Sequence, residues 1–241
     1  MLQRGLILCA CAFAAAALSA CESTQDKAAK LSESSTEAFT KKGLVVKDEN
    51  PAVKVQRTWV LQDANGTAVG VRLKNTSQRR MVEVPIAVDV IDTAGKSIYK
   101  NDAPGLDRSL VGIAMLRPGE SVTWVNDQVV AASKPEDARV VIGKEKQDLK
   151  TQEPRITLQQ INLSEDPAGV AATGFVMNKS DVEQKEIVVY AVATKGGKVV
   201  ALGKGQVPRV KPGKRAKFSV FFIGNPKGAK LDLAVPATVT R

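Results

Sequence analysis

Side chains able to do chemistry are scarce in this 241-residue chain. It has no histidine, so the commonest general base, the usual nucleophile triads and most zinc sites are missing. Three cysteines occur, at Cys9, Cys11 and Cys21. The first two sit in an apolar N-terminal run, which leaves Cys21 as the one sulfur beyond it. Asp89, Asp92, Asp102 and Asp107 are close enough in sequence to suggest a carboxylate cation site. Their spacing fits no EF-hand-type loop, and aspartates in turns are ordinarily solvated. Gly196-Gly197 and Gly203-Lys204-Gly205 stand between extended segments and open no helix, so they do not form a phosphate cradle. The expectation is a chain with no catalytic residues, no metal and no cofactor.

Charge is more informative. The net is +10, unevenly spread. Residues 54–144 carry 13 basic against 10 acidic groups, a net of +3, and residues 155–241 carry 14 against 6, a net of +8. Lys204, Arg209, Lys211, Lys214, Arg215 and Lys217 crowd around Pro212-Gly213. Two readings fit this cluster. One is a patch that attracts an anionic surface, such as lipid headgroups, an envelope polymer or an acidic protein. The other is a set of edge-strand lysines that keep sheets from aggregating. Nucleic acid is not expected, because no aromatic residues are interleaved for base stacking.

The N-terminal run explains the cysteines. Arg4 precedes an almost wholly apolar stretch from Gly5 to Ala17, too short to span a bilayer comfortably, and Leu18-Ser19-Ala20-Cys21 closes it. A polar run from Glu22 to Asp26 follows. This pattern resembles the lipobox of bacterial lipoproteins. The resemblance implies that residues 1–20 are a signal peptide, that Cys21 becomes the first mature residue, and that acyl chains hold the protein at the membrane. Two or three chains are needed for stable anchoring, since each buried CH₂ adds about 0.8 kcal/mol. A plain secretory signal is the alternative. The expected location is the cell envelope, on the outer side of the cytoplasmic membrane or at the outer membrane.

Residues 21–53 read as a flexible tether. They are polar, centred on Ser32-Glu33-Ser34-Ser35-Thr36, and hold too little apolar surface to offset ordering entropy. A short helix over Lys27–Lys42 is weakly patterned. From Val53 onward the period becomes two. Val69, Val71 and Leu73 share one face, with Gly70, Arg72 and Lys74 on the other; Val82 to Val90 alternates over a longer run; Val122 with Trp124 and Val140 with Ile142 continue the pattern. Asp63-Ala64-Asn65-Gly66, Ala94-Gly95-Lys96 and Pro118-Gly119 are turns.

The same landmarks then recur. Leu73-Lys74-Asn75-Thr76-Ser77 parallels Val176-Met177-Asn178-Lys179-Ser180, Ile86–Val90 parallels Val188–Val192, and Gly95-Lys96 parallels Gly197-Lys198. Arg117-Pro118-Gly119-Glu120 with Trp124 parallels Lys211-Pro212-Gly213-Lys214 with Phe218. The chain therefore reads as two copies of one unit, 54–144 and 155–241, joined by a polar linker at 145–154. The first copy is about eight residues longer between its second and third turns, and the excess falls in Asn101–Ala114. That stretch is either a binding loop or an extended edge connection. Trp59, Trp124, Phe218 and Phe222 belong to core faces. Phe221 is out of phase and is expected at a domain interface or against a partner, and Tyr99 and Tyr190 are candidate surface contacts.

The Asn-x-Ser strand end, long second strand, glycine turn and Pro-Gly-x-x-x-x-aromatic closing strand resemble the FxLYD-type domain of bacterial surface proteins. The naming motif is degraded, to Ala87–Asp92 in one copy and Val189–Thr194 in the other. The resemblance implies an all-β chain of two tandem immunoglobulin-like β-sandwich domains, about seven strands each, with no catalytic residues to carry over. The functional expectation is a lipid-anchored envelope module that binds a protein or an anionic polymer without catalysis. The alternative is a small-ligand or substrate-binding lipoprotein serving a membrane complex, with its site at the domain junction or in the Asn101–Ala114 loop.

Overall fold

Alternation of β-branched residues, broken every ten residues or so by a glycine or proline turn, leaves the backbone few options but short antiparallel strands. The computed structural model describes residues 43–146, 153–166 and 169–238. The leader, Cys21, the tether as far as residue 42 and linker residues 147–152 lie outside the described residues. The chain divides into two units, Met1–Thr40 and Lys41–Arg241, and all that follows concerns the second.

The fold is all-β. The first repeat contributes β1 (Val53–Asp63), β2 (Gly66–Asn75), β3 (Met81–Ile91), β4 (Ser97–Lys100), the one-turn helix α1 (Arg108–Val111), β5 (Gly112–Leu116), β6 (Ser121–Val129) and β7 (Asp137–Ile142). The second contributes β8 (Ile156–Asp166), β9 (Gly169–Asn178), β10 (Gln184–Lys195), β11 (Lys198–Val210), β12 (Arg215–Phe221), β13 (Ile223–Gly224) and β14 (Lys230–Ala234). Each repeat has a three-stranded antiparallel sheet, β1-β2-β6 or β12-β9-β8. A second sheet faces it, built on β3 with β4, β5 and β7, or on β10 with β11, β13 and β14.

The two repeats use the same local devices at the same places. Asn75 and Asn178 are fully buried. Asn75 Nδ2 donates to Arg79 O (2.8 Å) and Leu116 O (3.4 Å), and its Oδ1 accepts from the Ser77 backbone and hydroxyl. Asn178 Nδ2 donates to Val182 O (2.8 Å) and Val210 O (3.0 Å), and its Oδ1 accepts from the Ser180 backbone and hydroxyl. Glu83 (φ 47°) and Glu186 (φ 51°) both take the left-handed conformation near the start of the long strand, and Gly119 (φ 68°) matches Gly213 (φ 65°). Non-glycine residues rarely adopt positive φ, so this coincidence is a strong mark of duplication.

The extra residues of the first repeat are also explained. β11 is one continuous strand, whereas its counterpart is split into β4 and β5 by a loop that carries α1. Asn101 closes the gap where β4 leaves the sheet. Its Oδ1 accepts from Val88 N (2.7 Å), and its Nδ2 donates to Ile86 O and Leu110 O (2.8 Å each).

The repeats do not hang side by side on a linker. One apolar cluster holds Val69, Val71, Trp124 and Ile86 of the first repeat together with Tyr190, Val192, Leu202 and Ile223 of the second. The outer face of β1-β2-β6 is covered by β10, β11 and β13, so β2 is buried on both faces from Thr67 to Val71. Gly70 faces Leu202 so closely that a Cβ there would lie 2.9 Å from Leu202 Cδ2. Val82 and Met115 of the first repeat join the other cluster, with Ile156, Val207 and Val210. Tyr190, expected at the surface, is 2% exposed because of this seam. Tyr99 is half-buried and its hydroxyl accepts from Asn126 Nδ2 at 3.0 Å.

Ordered structure also begins earlier than residue 54. Glu49 bridges to Gly143, Asn50 N donates to Ile142 O (2.9 Å), and Asn50 Nδ2 donates to Glu145 Oε2 (2.6 Å). The polar residues read as tether are here hydrogen-bonded to the end of β7.

Candidate functional site: the cationic corner of the second repeat

The corner forms where β11 turns into β12 through Lys211-Pro212-Gly213-Lys214. The turn is pinned from below by Asn178: Gly213 N donates to Asn178 O (3.0 Å) and Asn178 N donates to Lys214 O (3.0 Å), while Lys214 N closes the turn on Lys211 O (3.1 Å). The buried asparagine of β9 therefore fixes the backbone from which the lysines project. Arg209, Lys211, Lys214, Arg215 and Lys217 are exposed and line one open groove of about 450 Å³, with Pro208 among its walls.

Arg215 lies over the Phe175 ring, 4.2 Å from its centroid. Stacking orients the guanidinium plane and leaves its N–H edge available to an anion. Arg209 Nε lies 3.9 Å from Glu183 Oε1, with Lys185 Nζ on the other carboxylate oxygen at 3.7 Å. Among the described residues no carboxylate forms an ion pair with Lys211, Lys214, Arg215 or Lys217.

The first repeat offers an internal comparison, because its corresponding turn is built on Arg117-Pro118-Gly119-Glu120. There Arg117 N donates to Glu120 Oε2 (2.7 Å), its Nη1 lies 3.4 Å from Glu120 Oε1, and its Nε contacts Glu153. The same turn is thus neutralised in one repeat and left cationic in the other. Lys214 stands where Glu120 does.

Lys204 departs from the group predicted around the turn. On β11, Leu202, Lys204 and Gln206 share the face that meets the first repeat. Lys204 Nζ donates to Ser109 Oγ (2.9 Å), Lys204 N donates to Asp127 Oδ2 (2.9 Å), and Gln206 Nε2 donates to Asp107 Oδ1 (3.2 Å). Burial pulls the Lys204 amine below its ordinary range, against the opposing pull of Asp127 and Asp107. Burial likewise holds the Asp127 carboxyl above the usual carboxylate range, only partly offset by Lys204. For Asp107 burial also opposes ionisation, but hydrogen bonds from Ser109 and Gln206 and the Lys204 charge outweigh it, so its carboxyl sits low. Burial, followed by the charges of Asp107 and Asp127, drives the Tyr190 phenol far up. The Asn101–Ala114 stretch is accordingly engaged with the second repeat.

The four aspartates of the conceivable cation site are not brought together. Asp92 Oδ1 accepts from Ala94 N and Lys96 N within its own turn, Asp89 faces Arg139 at 3.9 Å, and Asp107 is in the seam. Among the described residues no group of three potential metal ligands occurs.

A second open groove, about 810 Å³, adjoins the corner and shares Lys217 with it. It runs over the outer face of β8-β9-β12 and is lined by Gln160, Asn162, Thr173, Phe175 and Ser219. Phe221, expected at a domain interface or against a partner, lies on β12 and is 44% exposed. The stacking of Arg215 on Phe175 was invisible in the sequence, because it depends on the β9–β12 register, where Phe175 sits opposite Lys217 and Met177 opposite Arg215.

No protein family among those compared matches this chain, and no curated protein does. Of the solved structures, a chain from a chaperone–tip adhesin complex of CFA/I fimbriae is 19% identical, with a TM-score of 0.27, over 77% of this chain and 100% of that one. A transglutaminase from red sea bream is 11% identical with a TM-score of 0.17; this chain covers 32% of its length.

Proposed function

We propose that this chain is a non-catalytic, lipid-anchored interaction module of the bacterial cell envelope, which engages an anionic partner through Arg209, Lys211, Lys214, Arg215 and Lys217. The observation that carries this reading is the contrast between the two turns. The first repeat shows that the fold is content with a glutamate-neutralised corner, so the uncompensated cations of the second are not required by the turn itself. Five exposed positive groups around one groove raise the local concentration of anions and speed their encounter. The absence of histidine from the whole sequence supports a binding role over hydrolytic or transfer chemistry. The seam, where a ligand between repeats would have to sit, is filled by Trp59, Tyr190 and Leu202, whereas the second repeat carries two open grooves on its surface.

The anchor is read from Leu18-Ser19-Ala20-Cys21. Cys21→Ser is expected to shift the protein from the membrane fraction to the soluble fraction, and retention in the membrane would remove lipidation from this account. For the corner, Lys211→Glu/Lys214→Glu is expected to weaken binding to immobilised polyanions by about tenfold or more at low salt, with the difference shrinking as salt rises. Equal binding by the variant and the unaltered protein would overturn the assignment.

A further inference from the structure

The cationic corner does not end at the lysines. Its groove shares Lys217 with the groove on the outer face of β8-β9-β12, where amides and hydroxyls flank the Phe175 ring. The chemistry changes along that track. One end has guanidinium and ammonium groups. The other has Gln160, Asn162, Thr173 and Ser219, neutral amides and hydroxyls that both donate and accept hydrogen bonds. Along β12, Arg215 to Ser219 is four residues, roughly 13 Å of extended chain.

The neutral end carries a local distortion of its own. Gln160 adopts φ 52° within a β-bulge of β8, and its carbonyl accepts from Asn162 Nδ2 at 3.0 Å. A non-glycine residue there costs about 1 kcal/mol or more and tends to be kept where a site needs it. The internal comparison is again decisive. Among the described residues, the other two non-glycine positions with this backbone, Glu83 and Glu186, match one another across the repeats and belong to the common fold. Gln160 has no such counterpart: the bulge of β1, between Val55 and Arg57, has no positive φ. The distortion is specific to the repeat that bears the groove.

We infer that the track binds an acidic polysaccharide strand, with its carboxylates or phosphates on Arg215, Lys217 and the turn lysines and its sugar hydroxyls on Gln160, Asn162, Thr173 and Ser219. This rests on the anionic-partner reading above and narrows it. A polyanion without sugars uses only the cationic end. A lipid surface leaves the amide row unused. An acidic protein partner has no particular need of the four amides and hydroxyls, whereas a sugar strand can use them together with the face of Phe175, which lies between them and the cations.

The test compares four probes on the full mature protein: an oligogalacturonate, a neutral oligosaccharide of the same length, a polyphosphate of matched charge, and phosphatidylglycerol vesicles. The oligogalacturonate is expected to bind about tenfold tighter than the polyphosphate, the worth of one or two well-made hydrogen bonds, and the neutral sugar weakly. Asn162→Ala is expected to weaken oligogalacturonate binding by about tenfold and leave polyphosphate unchanged. Ser219→Tyr, which fills the groove without touching the bulge, is expected to do the same. If polyphosphate or vesicles bind as well as the oligogalacturonate and neither variant discriminates, the polysaccharide assignment falls while the anionic corner stands. If no anionic probe binds in a Lys211/Lys214-dependent way, both fall.

Discussion

Ser109 accepts a hydrogen bond from Lys204 Nζ at 2.9 Å, although the two residues belong to different repeats. The same hydroxyl donates to Asp107 Oδ1 at 2.5 Å, and Asp107 accepts from Gln206 as well. A loop that only the first repeat possesses has become the clasp between them.

The clasp has a pH signature. The folded Asp107 carboxyl lies below its ordinary value of 3.8, for the hydrogen bonds and the facing lysine outweigh burial. A depressed carboxylate stabilises the fold above the unfolded value, and that contribution is lost as pH falls through the folded value. Asp107→Asn is therefore expected to be less stable than the unaltered protein at neutral pH, with the gap closing below pH 3.8. Urea unfolding across that range measures it. A gap that widens in acid contradicts the assignment.

Asn75→Ala and Asn178→Ala should each cost about 2–4 kcal/mol, because each orphans one buried carbonyl, Leu116 O or Val210 O, and breaks a turn. The duplication makes the two losses similar. Since one apolar cluster spans both repeats, either variant should still unfold in a single transition, coincident by fluorescence of Trp59 and Trp124 and by circular dichroism of all the strands. Two separate transitions would show that the repeats fold independently.

Two glycines should respond very differently to alanine. A Cβ at Gly203 would stand 2.2 Å from Phe221 O, a backbone atom held in β12, so Gly203→Ala is expected to destabilise by about 2–4 kcal/mol. At Gly70 the nearest obstacle is the end of the Leu202 side chain at 2.9 Å, which can rotate away. Gly70→Ala is expected to cost less than about 1.5 kcal/mol. Thermal denaturation of the pair decides the order.

The strands, the three turns and the duplication were legible because each rests on local rules: period two, Asn-Gly and Pro-Gly chemistry, and a repeated Asn-x-Ser. The seam was not. Gly70 and Arg72 alternate with Val69 and Val71 as a solvent-facing row would, and Leu202, Lys204 and Gln206 do so on β11. Nothing in that pattern says that the two rows meet. Tyr190 was placed at the surface, and Lys204 with the turn lysines, for the same reason. The cationic corner was readable as composition. Its groove, the Arg215–Phe175 stack and the left-handed Gln160 depend on register and on a bulge, which a linear pattern does not fix.

The way the repeats meet has a direction. The face that β1-β2-β6 presents to the second repeat carries Ser121, Thr123 and Val125; at the corresponding places β12 carries Arg215, Lys217 and Ser219. Contacts of this heterologous kind do not close on themselves, and an identical unit added at the free face would leave another free face behind it. Charge at Arg215 and Lys217 makes this face unlike the neutral face that is covered in the first repeat, and like charges spread over a sheet face disfavour stacking another copy upon it.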